Sequence, residues 1–447
     1  MHQLVLKRQP IHHNKDETKL TMNNRLQHHL AHSFGVLLAA ATLTGSHSLS
    51  AADPETLLPS PDFASGARGN SALIDPFSAD PANPGVFIGS TVDASGNGAL
   101  VRLDPNGTSS YTVTNVDSEL FAVSDLGCNT PPFSPVSPTR LYAVGSRRAF
   151  TVPPLPRTNP YLWVVRTSAD GGDSWTGIGG DTFQLNSRES AGANGFAADA
   201  SGNVYACGNA FLKNLTHWIV RRLSAGGANW QTVSDLTAKS GGYANGMCFF
   251  PGNNLNSVPA VFAVGWLNSK WEVRRSQDHG LTWLSVDPGV GLGNAHKAAC
   301  DSAGNIFVVG SRDSGSRWVV RMSADGGTTW ATMLDVADGS INAARNVAAD
   351  QQGNVWVAGM TSVGSDASAP RRWTVVRHNN ILSTPESWSD SWSSRQHSFP
   401  GDYSDAFGIA ADATGNNVFV TGTVQDWTDG NLNFYPGSRL AVQRLQP

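Results

Sequence analysis

Apolar and polar positions along this chain alternate in short runs of strand length, and no long stretch repeats at helical spacing. Runs of β-branched and small apolar residues ending in glycine recur seven times: VFIG at 86, LYAVG at 141, VYACG at 204, VFAVG at 261, IFVVG at 306, VWVAG at 355 and VFVTG at 418. After them come strands of the form Trp-apolar-apolar-Arg, as in WVVR at 163, WIVR at 218, WEVR at 271 and WVVR at 318. Weaker echoes lie at 99, 373 and 440. Before several runs sits a D-x-x-G-N turn, at Asp199, Asp301, Asp350 and Asp412.

Each unit therefore reads as strand, turn, strand, variable loop, strand, turn and a weaker last strand. The mean step is about 55 residues, a period that belongs with propellers and solenoids. Absence of helical segments between strands excludes parallel α/β units. The pattern predicts an all-β chain, a β-propeller of most simply seven four-stranded blades, with six or eight as alternatives. Residues 71–447 would form this single domain. The last unit stops without an outer strand, which the lead-in or the stretch near Ser71–Phe77 is expected to supply.

An eight-residue phrase, S-x-D-x-G-x-x-W, fits the turn between third and fourth strands. It occurs at Ser168, Asp170, Gly172 and Trp175, at Ser276, Asp278, Gly280 and Trp283, and at Ser323, Asp325, Gly327 and Trp330. A copy at 224–230 has lost a residue and its aspartate. Asp accepts from turn amides, Gly supplies a positive φ, and Trp folds back as an apolar anchor. These boxes resemble the Asp-box, or BNR, repeat of sialidase-like β-propellers. The resemblance implies a propeller fold. It also implies a family containing sialidases, other glycoside hydrolases, lectin-like binders and non-catalytic assembly factors, so it speaks to fold more than to activity. A working sialidase would carry an R-I-P tripeptide, three non-equivalent arginines and a Tyr–Glu pair. No R-I-P occurs here.

Composition adds location and exclusions. Lys and Arg number 31 against 35 Asp and Glu, which leaves no polybasic surface for nucleic acid. The apolar run FGVLLAAATLTG at 34–45, followed by small residues, reads as a secretory signal cleaved near Ala51 or Asp53. Residues 1–52 would be the signal, with Met22 a possible start, and 53–70 a linker. The run is too short to span a bilayer, so the expectation is a secreted or periplasmic monomer without stable membrane insertion. Cys128, Cys207, Cys248 and Cys300 match no metal spacing and allow at most one inter-strand bridge. No metal centre, cofactor motif, Walker loop or nucleophile elbow is present in the sequence.

Because repeated residues build the frame, chemistry is sought where the units differ. Loops between second and third strands, and between blades, share one face and vary most. At the start of the inner strands an alanine (Ala193, Ala244, Ala295, Ala344, Ala406) precedes a changing pair. Asn194, Asn245, His296, Lys297, Arg345 and Asn346 are the candidate ligand contacts there, with His296, Lys297 and Arg345 suited to a carboxylate or sulfate. A solvated rim without ligand is the alternative. Loop aromatics Trp427 and Tyr435 are candidates for stacking on sugar rings. If the chain is a glycoside hydrolase, its carboxylates would come from Glu119, Glu189, Asp117 and Asp405. The expected partner is a glycan or an extracellular protein bound to the variable face; a scaffold or assembly factor is the further alternative.

Overall fold

The computed structural model describes residues 69–78, 84–90, 100–105, 111–117, 122–148, 160–256, 258–287, 291–337, 342–362, 371–378, 392–397, 404–428 and 434–445. They form seven antiparallel sheets, each meandering outward from its inner strand, in a seven-bladed β-propeller. Blades 1 to 7 span 69–117, 122–183, 191–238, 242–285, 293–336, 342–397 and 404–445. The only helical element among the described residues is a 3-10 turn at Asp313–Gly315. No helix among them is long and apolar enough to cross a membrane.

The two strongest sequence signals turn out to be halves of one contact between blades. A Cβ added to Gly265, which ends VFAVG in blade 4, would meet the Trp218 ring of blade 3 at 2.9 Å and the Tyr243 carbonyl at 2.0 Å. The same holds for Gly208 under Trp163, Gly310 under Trp271, Gly359 under Trp318 and Gly422 under Trp373. Each third-strand tryptophan thus lies on the second-strand glycine of the next blade, where only a bare backbone leaves room. Trp163, Trp218 and Trp373 are fully buried there. The core is a set of layers between facing sheets, such as Phe262, Val264 and Trp271 of blade 4 against Ile306 and Val308 of blade 5.

The eight-residue turns behave as their composition predicts. Ser168 Oγ donates to Asp170 Oδ1 at 2.7 Å and accepts from Gly172 N at 2.8 Å, while Trp175 Nε1 donates to the Gly172 carbonyl at 3.1 Å. Nine residues earlier in each copy, a strand arginine caps the tryptophan carbonyl: Arg166 to Trp175 at 2.8 Å and Arg274 to Trp283 at 2.8 Å. Arg221 and Arg321 also reach the preceding blade's Asp181 and Asp287, at 2.5 and 2.6 Å. These arginines tie blades together.

Ring closure differs from expectation. Gly69–Ile74 pairs with Val86–Ser90 as the inner strand of blade 1, so it does not complete blade 7. Blade 7 has three strands among the described residues. Blades 1 and 7 instead meet face to face, with Val86, Ile88, Val101 and Leu103 packed on Phe419 and Val442. The lead-in before Gly69, the other expected source of an outer strand, lies outside the described residues.

Candidate functional site

All seven inner strands carry a bulge at equivalent positions: Asn70, Ser124, Asn194, Asn245, His296, Arg345 and Phe407 each fall in a register shift. A bulge re-aims a side chain, and in blades 1, 3, 4, 5 and 6 the bulged residue is turned toward the next blade. Asn70, Asn194 and Asn245 donate through Nδ2 to the carbonyls of Val123, Ala244 and Ala295, at 3.1, 3.0 and 2.8 Å. His296 Nδ1 does the same to Ala344, at 2.8 Å. Burial, helped by the nearby Arg345 charge, holds that imidazole down at about 3, so it is neutral at physiological pH. Arg345 reaches Asp405 at 3.5 Å and lies over the Phe407 ring. In five of the seven blades the bulged residue thus latches onto the next blade.

The second residue of the pair faces the channel. Lys297 Nζ lies 2.8 Å from Asp125 Oδ2 and donates to the Asn194 carbonyl at 3.1 Å. Asp125 also accepts from Phe196 N at 2.9 Å. Between them Gly195 and Gly246 clear the path, since a Cβ on Gly246 would meet Lys297 Cα at 2.9 Å. Asn346 donates to the Phe407 carbonyl at 3.2 Å. His296, Lys297 and Arg345 therefore sit on neighbouring inner strands, each with a protein partner.

Below this clasp the channel widens to a cavity of about 550 Å³, walled by Leu126, Phe196, Met247, Phe249, Val347 and Ile409 among others. It is bounded by Pro76, Pro132, Phe133 and Asp412, so it opens on the face of the D-x-x-G-N turns. That is opposite to the variable-loop face.

On the variable-loop face, blades 3 and 4 present three half-buried aromatic rings. Tyr243 and Trp266, register partners in blade 4, stack with centroids 5.4 Å apart, and Phe211 of blade 3 meets Tyr243 edge-on at 6.4 Å. Gly241, at φ +86°, lets the Trp266 ring lie over the backbone; a Cβ there would meet Trp266 at 2.7 Å. The loops around the rings are low. Lys213–Asn214 and Asn268–Ser269 are two-residue hairpin turns with φ positive at both positions. Their side chains and Lys270 are exposed beside the rings.

Of the candidate carboxylates, the two whose side chains are described, Glu189 and Asp405, are not brought together. Glu189 accepts from Lys213 N at 3.0 Å, pinned to the second-to-third turn of blade 3, and its Oε2 is buried without a partner among the described residues. Asp405 is on blade 7, three blades away. The side chain of Asp117, which ends the outer strand Tyr111–Asp117, and the whole of Glu119 lie outside the described residues. Trp427 and Tyr435 face each other across blade 7's last hairpin, with side chains likewise outside the description. Sequence reading missed Asp125, because blade 2 has Val123 where the aligned units have alanine and Asn129 where most have aspartate. It also missed Phe211 and Trp266, whose places at strand ends read as core.

No family model matches the chain, and no curated protein matches it. Solved structures similar in fold include U3-55K, at 9% identity and TM-score 0.47, covering 87% of this chain and 98% of that one. The Niastella koreensis GH74 enzyme matches at 13% identity and TM-score 0.48, over 80% of this chain and 51% of its own. A leech intramolecular trans-sialidase complexed with 2,7-anhydro-Neu5Ac matches at 9% identity and TM-score 0.45, over 86% and 93%. Likenesses at this level transfer no activity and no residue role.

Proposed function

We propose that this protein is an exported recognition propeller that binds glycan on its variable-loop face, with Phe211, Tyr243 and Trp266 as the contact surface. One observation carries the reading: three contiguous, half-buried aromatic rings reach the surface where the surrounding turns are lowest. Exposed apolar surface rimmed by polar groups marks interaction sites, and flat rings beside hydrogen-bonding groups suit sugar faces. Lys213, Asn214, Ser269 and Lys270 provide those groups. Lys297 and Arg345 are not assigned to the ligand, because their charges are spent on Asp125 and Asp405. Export is part of the proposal and rests on the signal-like segment at the start of the chain. A glycan array probed with purified protein tests the reading. Retention of an oligosaccharide class that Trp266→Ala loses supports it; an empty array, or binding untouched by that substitution, removes it.

A further inference from the structure

Four cysteines are reduced in the structure, and two of them differ in setting from the rest. Cys248 and Cys300 come from the inner strands of blades 4 and 5, and their Sγ atoms lie 3.4 Å apart. Both are buried, yet both line the channel cavity that opens on the D-x-x-G-N face. Cys207 Sγ is turned to the Gly246 carbonyl at 3.6 Å and is no part of the cavity wall. Cys128 lines the cavity, but its Sγ meets Thr130 and no second thiol among the described residues.

We infer that Cys248 and Cys300 form a reversible disulfide staple between blades 4 and 5, made by exchange with a small disulfide admitted through the channel cavity. The sulfurs need close by only about 1.4 Å to reach bonding distance. Chemically, one cysteine thiolate attacks a sulfur of the small disulfide, giving a mixed disulfide and one released thiol. The other cysteine then attacks the protein sulfur and expels the second thiol. Two protein thiols and one small disulfide become one protein disulfide and two small thiols, so two electrons and two protons leave the protein. The cavity of about 550 Å³ gives the mixed disulfide its space. Burial and the adjoining Cys248 hold the Cys300 thiol well above the usual range, which makes reaction slow and dependent on the partner. The staple joins strands that belong to different sheets, and it is independent of the glycan reading.

The test is a time course of the full-length reduced protein in oxidised glutathione, followed by denaturation, alkylation and tryptic peptide mapping. The expected result is a disulfide linking the peptides of residues 240–270 and 298–312, with Cys207 recovered as alkylated thiol. Dithiothreitol should release both peptides. Recovery of Cys248 and Cys300 as alkylated thiols throughout would overturn the inference. So would a persistent glutathione adduct on either cysteine, or a linkage to Cys128.

Discussion

Lys297 of blade 5 and Asp125 of blade 2 meet at 2.8 Å across the channel, joining blades three steps apart in a ring of seven. The lysine stem crosses bare backbone at Gly246, and the carboxylate is fixed in turn by Phe196 N. The pair is a brace within the ring. Both side chains are mostly buried, so removing one leaves the other's charge uncompensated.

Lys297→Met is therefore expected to destabilise the fold by about 2–3 kcal/mol, read by urea unfolding. The double variant with Asp125→Asn should recover part of that loss. Additive losses would show that the two charges are not coupled.

Gly265→Ala places a methyl against the Tyr243 carbonyl and the Trp218 ring, and is expected to cost more than about 2 kcal/mol. Gly177→Ala, where nothing lies within 4 Å, should stay within about 0.5 kcal/mol of the parent. Thermal unfolding of the two variants side by side checks the contrast.

That contrast also shows how far the sequence could be read. Gly265 and Trp218 announce themselves because every blade repeats the contact, so repetition in sequence reports the frame. Blade number, strand order and the turn roles of Asp170, Asp278 and Asp325 follow from it. The site does not. His296, Lys297 and Arg345 vary between units as ligand contacts would, yet His296 and Arg345 also bind the neighbouring blade and Lys297 reaches Asp125 across the channel. Phe211 and Trp266 are hidden in the opposite sense. They sit in strands of ordinary composition, and only the low turns beside them expose their rings.

Asp325→Ala should lose the bonds from Ser323 Oγ, Thr328 N, Thr329 N and Thr329 Oγ1. A destabilisation of about 1–2 kcal/mol is expected, with glycan binding unchanged. A variant of normal stability that no longer binds would reverse the roles given to turn and loop face.

His296 sets a pH dependence. Its folded pKa of about 3 lies below the ordinary 6.5, so from pH 6.5 down to 3 the unfolded chain binds the extra proton. Stability contributed by the neutral ring is thus present above pH 6.5 and is lost as pH falls through that window, by up to about 1.4 kcal/mol per pH unit. His296→Asn keeps a donor like that of Asn194 and Asn245 while removing the titration. Its unfolding free energy should fall less steeply between pH 6.5 and 4 than that of the parent. Parallel curves would show that His296 is not the titrating group.

On the proposed reading the Tyr243–Trp266–Phe211 surface holds the ligand. Calorimetric titration of an array-selected oligosaccharide into the parent, Trp266→Ala and Lys297→Met proteins tests it most directly. Trp266→Ala is expected to have at least a tenfold weaker Kd, about 1.4 kcal/mol, and folded Lys297→Met to keep parental affinity. Parental affinity in Trp266→Ala together with lost binding in Lys297→Met would place the ligand in the channel instead of on the aromatic surface.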